Sequence, residues 1–169
     1  MSTRTLVSEE EYLNTSYEPD CEYLDGVLVE RNVGDIGHGV FAALLVGYFG
    51  KRRKLWNITV ATDVRACVRE GRYRLPDVAI FSGPKPPGKI LTTPPLIWIE
   101  VLSPDDHPIR VNEKVEELLA FGVPYIWIID PETLESEVHT PQGRTTLADG
   151  IFRIPGTPIE APLKALEED

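Results

Sequence analysis

From Leu96 to Leu102 apolar residues occupy both faces of a two-residue period, interrupted only by Glu100, and Ser103-Pro104 ends the run. This pattern predicts a strand covered on both sides, at the centre of a sheet flanked by helices. Val123 to Ile129 repeats it, with Pro124 at its start and Asp130-Pro131 at its end. Between the two, Val111, Val115, Leu118 and Leu119 recur at helical spacing. Asp105 and Asp106 are N-cap candidates for that helix, Pro108 suits its first turn, and Gly122 its C′ position. Lys114 falls on the flank of the buried stripe, where its stem can pack while its ammonium reaches toward the sheet end.

Upstream, Ser8 is the N-cap of a short helix with Glu11 at the capping-box position. Cys21 to Arg31 reads as a hairpin turning at Asp25-Gly26. Asp35 caps a helix whose stripe is Val40, Phe41, Leu44, Leu45, Tyr48 and Phe49, and Gly50 is expected to close it. Ile58 to Val68 alternates as one strand, and Tyr73 to Phe81 returns as another, with Pro76 marking an edge, bulge or strand start. Ser82 to Pro95 is a long proline-rich loop. Glu135 to Thr140 and Gly150 to Ile154 are short strands, and the chain closes with an acidic tail. The fold class is therefore α/β, expected as one domain over residues 1–169.

Composition narrows the function classes. No window of about eighteen apolar residues exists, so no membrane helix is expected. The N-terminus lacks the apolar core of a signal peptide. Cys21 and Cys67 make neither a metal cluster nor a disulfide framework, which fits reduced thiols and a cytoplasmic location. The net charge of −10 argues against a nucleic-acid partner. The charge is uneven, however: Lys51 to Arg74 carries eight basic residues against two acidic ones, a local +6 that leaves −16 elsewhere. The Lys51-Arg52-Arg53-Lys54 quartet either complements a helix dipole or meets a phosphate backbone.

Two acids sit inside apolar strands. Asp77 follows Pro76 directly, and Glu100 lies near the carboxyl end of its strand, where open α/β sheets place their functional crevice. Glu100 either reaches solvent there or meets a cation, because a buried carboxylate is costly alone. Two carboxylates on neighbouring strands, a main-chain carbonyl next to Glu100 such as that of Val101, and water would suit octahedral Mg²⁺. Such an ion lowers the pKa of bound water and stabilises charge on a phosphate, with a nearby Lys to assist.

Pro76-Asp77 followed by Glu100-Val101-Leu102 resembles the PD-(D/E)xK signature of restriction-endonuclease-like nucleases. More specifically, the chain resembles the Uma-two family of endonucleases. The likeness rests on Glu22-Tyr23-Leu24-Asp25-Gly26, His38 ahead of a helix, Arg74-Leu75-Pro76-Asp77-Val78, Glu100-Val101-Leu102-Ser103-Pro104, Glu113-Lys114, and Gly122 to Trp127 closing on Asp130-Pro131. It implies a mixed β-sheet flanked by helices with an N-terminal hairpin, Mg²⁺-dependent cleavage of DNA (with Mn²⁺ able to substitute), and homodimers. Carried over, Asp77 and Glu100 are metal ligands with Val101, Lys114 is the catalytic lysine, and Glu22 an accessory acid. His38, Arg52, Arg53 and Arg74 are the candidate substrate contacts. The motif's own lysine position holds Leu102, so the lysine would come from the following helix. Position 110, where the family often has an acid, is Arg, and Val27 stands where a Glu often follows Gly26. The competing reading is a non-catalytic nucleic-acid-binding or assembly module that keeps the fold, and a third is a nuclease acting on RNA or on a structured junction.

Overall fold

The computed structural model describes residues 6–31 and 34–166. Of the sequence expectations, the leader reading at residues 1–5 and the last acids of the tail, residues 167–169, lie outside the described residues.

The centre is a six-stranded mixed sheet. In chain order its strands are β3 (Ile58–Ala61), β6 (Val78–Ser82), β7 (Ile97–Val101), β8 (Tyr125–Ile129), β9 (Ser136–Thr140) and β10 (Gly143–Thr146), arranged β10-β9-β8-β7-β6-β3. Only β7 and β8 are parallel, joined through helix α3 (Pro108–Phe121). Period two divides β7 between two cores. Ile97, Ile99 and Val101 face helix α2 (Ile36–Trp56), together with Trp127, Ile129 and Phe49. Trp98 faces α3, packed with Ile126, Val115 and Leu118. Glu100 shares the Trp98 face, and a one-residue register slip would carry it to the wrong side. Full burial of each β7 isoleucine stabilises this register by roughly 2 kcal/mol.

The hairpin strands β1 (Cys21–Leu24) and β2 (Val27–Glu30) form a second sheet with β5 (Arg72–Arg74) and β4 (Ala66–Arg69), in the order β2-β1-β5-β4. Helix α1 (Glu9–Asn14) packs Tyr12 against Tyr23 and Tyr73 of this sheet. The Ser8 hydroxyl caps α1 by accepting the Glu11 N–H at 3.1 Å. The hairpin turns on Asp25 and Gly26, both at positive φ (51° and 92°).

The structure corrects several element boundaries. The predicted strand Ile58–Val68 is two strands in different sheets, parted at Asp63, whose φ is 51°. Tyr73–Phe81 likewise divides into β5 and β6, because Pro76 cannot donate to a ladder. Helix α2 runs past Gly50 to Asn57, its left-handed C-cap. One glycine in a helix costs only about 1 kcal/mol, and the added turns bring Trp56 onto Tyr48 and Phe49. The N-cap of α3 is His107; Asp106 instead accepts the Ser103 N–H at 2.7 Å. Gly122 ends α3 as expected, at φ 104°. Within the C-terminal stretch, β12 (Glu160–Pro162) pairs with β11 (Ile151–Arg153), and Ala161, Leu163 and Leu166 are buried in the α2-side core.

Candidate active site

A cleft of about 660 Å³ opens beside the carboxyl end of β7. The hairpin supplies one wall with Leu24, Leu28 and Arg31, and α3 supplies another with Arg110, Val111 and Lys114. Glu22, Asp77 and Glu100 line its floor.

Glu22 comes from β1 and Glu100 from β7, whereas Asp77 comes from the segment between β5 and β6 and not from inside a strand as the sequence pattern suggests. Asp77 stands just before β6. Its Oδ2 accepts the Val101 N–H at 2.8 Å and lies 3.3 Å from His38 Nε2, while its Oδ1 accepts from Arg31. Glu100 Oε1 accepts the Trp98 indole N–H at 2.5 Å and meets the Lys114 ammonium at 2.9 Å. Glu22 Oε1 meets the same ammonium at 2.8 Å and accepts the Leu75 N–H at 3.2 Å. Glu22 Oε2 lies 2.7 Å from Arg74, whose Nε is 2.7 Å from Glu117. Lys114 reaches this point because the buried face of α3, carried by Val115 and Leu118, fixes the helix on the Glu100 side of the sheet.

Burial and charge separate the three acids. Burial pushes the Glu22 carboxyl up, but Lys114 and Arg74 outweigh it and hold the group at about 2. Burial acts on Asp77 in the same sense, and it is overcome by the His38 hydrogen bond, the Arg31 charge and the Val101 N–H, so Asp77 stays below the usual carboxylate range. For Glu100, burial wins: with Asp77 and Glu22 as like-charged neighbours, it is pushed up to about 7 despite Lys114. Lys114 is itself held above its ordinary value, since Glu100 and Glu22 outweigh its burial. His38 is raised, chiefly by its hydrogen bond to Asp77. Carboxyl groups driven apart in this way are typical of sites that carry chemistry.

Of the residues expected to act together, the structure gathers Glu22, His38, Asp77, Glu100, Val101, Lys114 and Arg74 around one cleft. Arg74 is buried, with its guanidinium committed to Glu22 and Glu117. Arg52 and Arg53 lie elsewhere. From His38 to Arg52 is fourteen residues of α2, about 21 Å along the helix, and the Arg52 guanidinium sits 3.6 Å from the Tyr48 ring centroid. Four residues absent from the sequence expectations belong to the site or its support: Arg31, Asp63, Trp98 and Glu117. Trp98 is legible from the two-residue period, which puts it on the Glu100 face. Glu117 is legible as the position three after Lys114. Gly34 also matters, since an added Cβ there would come within 2.4 Å of the His38 ring.

The donor set fits a hard divalent ion. Among the described residues no group of three or more acidic, His or Cys side chains forms a metal cage. Two carboxylates with an adjacent main-chain carbonyl suit an ion that keeps much of its water, as Mg²⁺ does. Asp77 already takes a guanidinium, whereas Glu100, pushed up by burial and then by Asp77 and Glu22, is the acid that a further cation would relieve most.

Residues 9–162 match the profile of the family Uma2, described as "Putative restriction endonuclease". Among solved structures, the chain is similar to a protein from Anabaena variabilis described as a "putative nuclease belonging to DUF820". The TM-score is 0.81 at 21% identity, over 96% of this chain and 98% of that one, which establishes the shared fold. No curated protein matches the chain. No helix among the described residues is long and apolar enough to cross a membrane.

Proposed function

The chain belongs to the Uma2 family, whose description is "Putative restriction endonuclease", and from that premise we propose that it is a Mg²⁺-dependent endonuclease that hydrolyses DNA phosphodiester bonds with a lysine supplied by α3. The observation that carries this reading is the Lys114 ammonium, 2.9 Å from Glu100 Oε1. It brings a cation to the end of β7, where the motif's own position holds Leu102.

In this reading Asp77, Glu100 and the Val101 carbonyl hold the ion. When bound, Mg²⁺ supplies a water of lowered pKa and neutralises charge on the phosphate. The remaining work falls to the chain's own groups. Lys114 offers a fixed positive charge to the negative charge that grows on the phosphate oxygens, a preorganised contribution needing little rearrangement. Glu22 holds that ammonium, and Arg74, itself held by Glu117, holds Glu22 in turn. Trp98 fixes the Glu100 carboxyl, and His38 with the Val101 N–H fixes Asp77. The hairpin wall and α3 exclude bulk water from two sides.

Supercoiled plasmid incubated with Mg²⁺ and the protein should be nicked and linearised. Asp77→Asn, Glu100→Gln and Lys114→Ala should each slow this by about 100-fold or more. Only Lys114→Ala should keep calorimetric Mn²⁺ binding, because Lys114 is not a ligand. Wild-type cleavage by Lys114→Ala would remove the lysine from the mechanism, and cleavage confined to RNA would move the substrate.

A further inference from the structure

Arg31 follows the end of β2, with its side chain mostly buried at 22% exposure. Its two terminal nitrogens hold different carboxylates: Nη2 donates to Asp77 Oδ1 and Nη1 to Asp63 Oδ1. The Asp77 side chain is 5% exposed and that of Asp63 65%. The guanidinium thus links a buried acid of the cleft to a solvent-exposed one. Glu100 also adds to the field that holds the guanidinium in place.

The two oxygens of Asp77 are not equivalent. Oδ2 already faces the Val101 N–H and His38. Oδ1 is the oxygen that Arg31 takes. A divalent ion approaching Asp77 through Oδ1 therefore meets a resident positive charge at contact distance, and two cations there repel strongly in a desolvated cleft. Asp63 provides somewhere for the guanidinium to remain. It sits in the turn between β3 and β4, and its N–H donates to the Pro76 carbonyl at 3.3 Å, so it stays tied to the segment that carries Asp77.

We propose that Arg31 is the built-in counter-cation of Asp77 and competes with the divalent ion for it. Ion loading requires the guanidinium to leave Asp77 Oδ1 while Asp63 retains it, so Arg31 sets the ion concentration at which the site fills. This rests on the metal reading above. No covalent step is involved; one cation replaces another on a carboxylate, and the displaced cation keeps its second partner.

The test is Mn²⁺ titration calorimetry with the full chain, together with melting in EDTA and in Mn²⁺. Arg31→Gln should bind Mn²⁺ at least tenfold more tightly than wild type. It should melt lower than wild type in EDTA, since Asp77 loses its counter-charge, and gain more from added Mn²⁺. Adding Asp63→Asn to Arg31→Gln should change affinity by less than twofold, because Asp63 acts through Arg31; a larger loss would mean that Asp63 attracts the ion directly and would overturn its assigned role. Unchanged or weaker Mn²⁺ affinity in a cooperatively melting Arg31→Gln protein would overturn the competition. Should that variant fail to fold, Arg31→Met decides the matter: it fills much of the same space without a charge, so binding tighter by threefold or more is expected, and no change overturns the proposal. Wild-type Mn²⁺ binding that Asp77→Asn abolishes, with no gain in Arg31→Gln, defeats only the role of Arg31. Absence of binding in every protein defeats the metal reading and this proposal with it.

Discussion

Replacing Glu22 with Gln tests whether the charge network behind Lys114 is ionised as its geometry requires. The substitution keeps the shape of the side chain and removes its charge. Glu22 is 7% exposed and receives Lys114 at 2.8 Å, Arg74 at 2.7 Å and the Leu75 N–H at 3.2 Å. Its carboxyl is held at about 2, against an ordinary value of 4.5. That difference corresponds to about 3 kcal/mol of stability at neutral pH, within the roughly 3–5 kcal/mol expected when one partner of a buried pair is removed. The sign of the pH dependence follows from the depressed value. The contribution is complete above about pH 4.5 and disappears as pH falls through about 2. Urea unfolding of wild type and Glu22→Gln should therefore differ by about 3 kcal/mol at pH 7, and the gap should close between pH 4.5 and 2. Equal stability at pH 7, or a gap independent of pH across that window, would show that Glu22 is not an ionised member of the network.

The vacant motif position and the basic quartet give the remaining predictions. Leu102 packs on the α3 side of the sheet, the face that Glu100 shares, so adding Leu102→Lys to Lys114→Ala should recover about tenfold or more of the lost plasmid nicking. No recovery, with Mn²⁺ binding intact, would mean that a lysine at 102 cannot reach the point Lys114 reaches. Arg52→Glu with Arg53→Glu should weaken DNA binding and flatten its salt dependence, while leaving turnover at saturating DNA nearly unchanged, because these residues lie about 21 Å along α2 from His38. Affinity indifferent to both salt and the substitutions would assign the quartet to the helix end alone.

What the sequence made legible was local. The run Leu96–Leu102 placed β7 at the centre of the sheet, and its two-residue period put Trp98, Glu100 and Leu102 toward one helix. Asp25-Gly26 fixed the hairpin, and Gly122 fixed the end of α3. The failures have a common cause, since each depends on backbone geometry or partners that periodicity does not encode. Alternation continues from Ile58 past Asp63 without a break, and only the left-handed backbone of Asp63 sends the next strand to another sheet. Gly50 looked like a helix stop, yet the aromatic packing of Trp56 lies beyond it. In the sequence Arg31 marks only the end of a hairpin, because its partners Asp63 and Asp77 are 32 and 46 residues away in the chain.

Charge shows the same limit most clearly. A count along the chain singled out residues 51–74 as the basic region, but of its eight cations Arg74 alone lines the cleft. Arg65 is spent on Asp20 and the α1 carbonyls, and Arg69 and Arg72 on Asp25. The cations that answer the three acids of the cleft are Arg31 just after β2, Arg74 of β5 and Lys114 of α3, with His38 from α2 beside them. A net charge of −10 therefore says little about the cleft, where each of the three acids faces at least one cation. The phosphate-binding question turns on which of those cations stays free to shift toward a ligand. Lys114 and Arg74 are each held between two acids, Glu22 and Glu100 in one case and Glu22 and Glu117 in the other. Arg31 also spans two acids, but one of them, Asp63, is solvent-exposed, so of the three it is the cation that can leave its buried acid to an incoming ion and still keep a solvated partner.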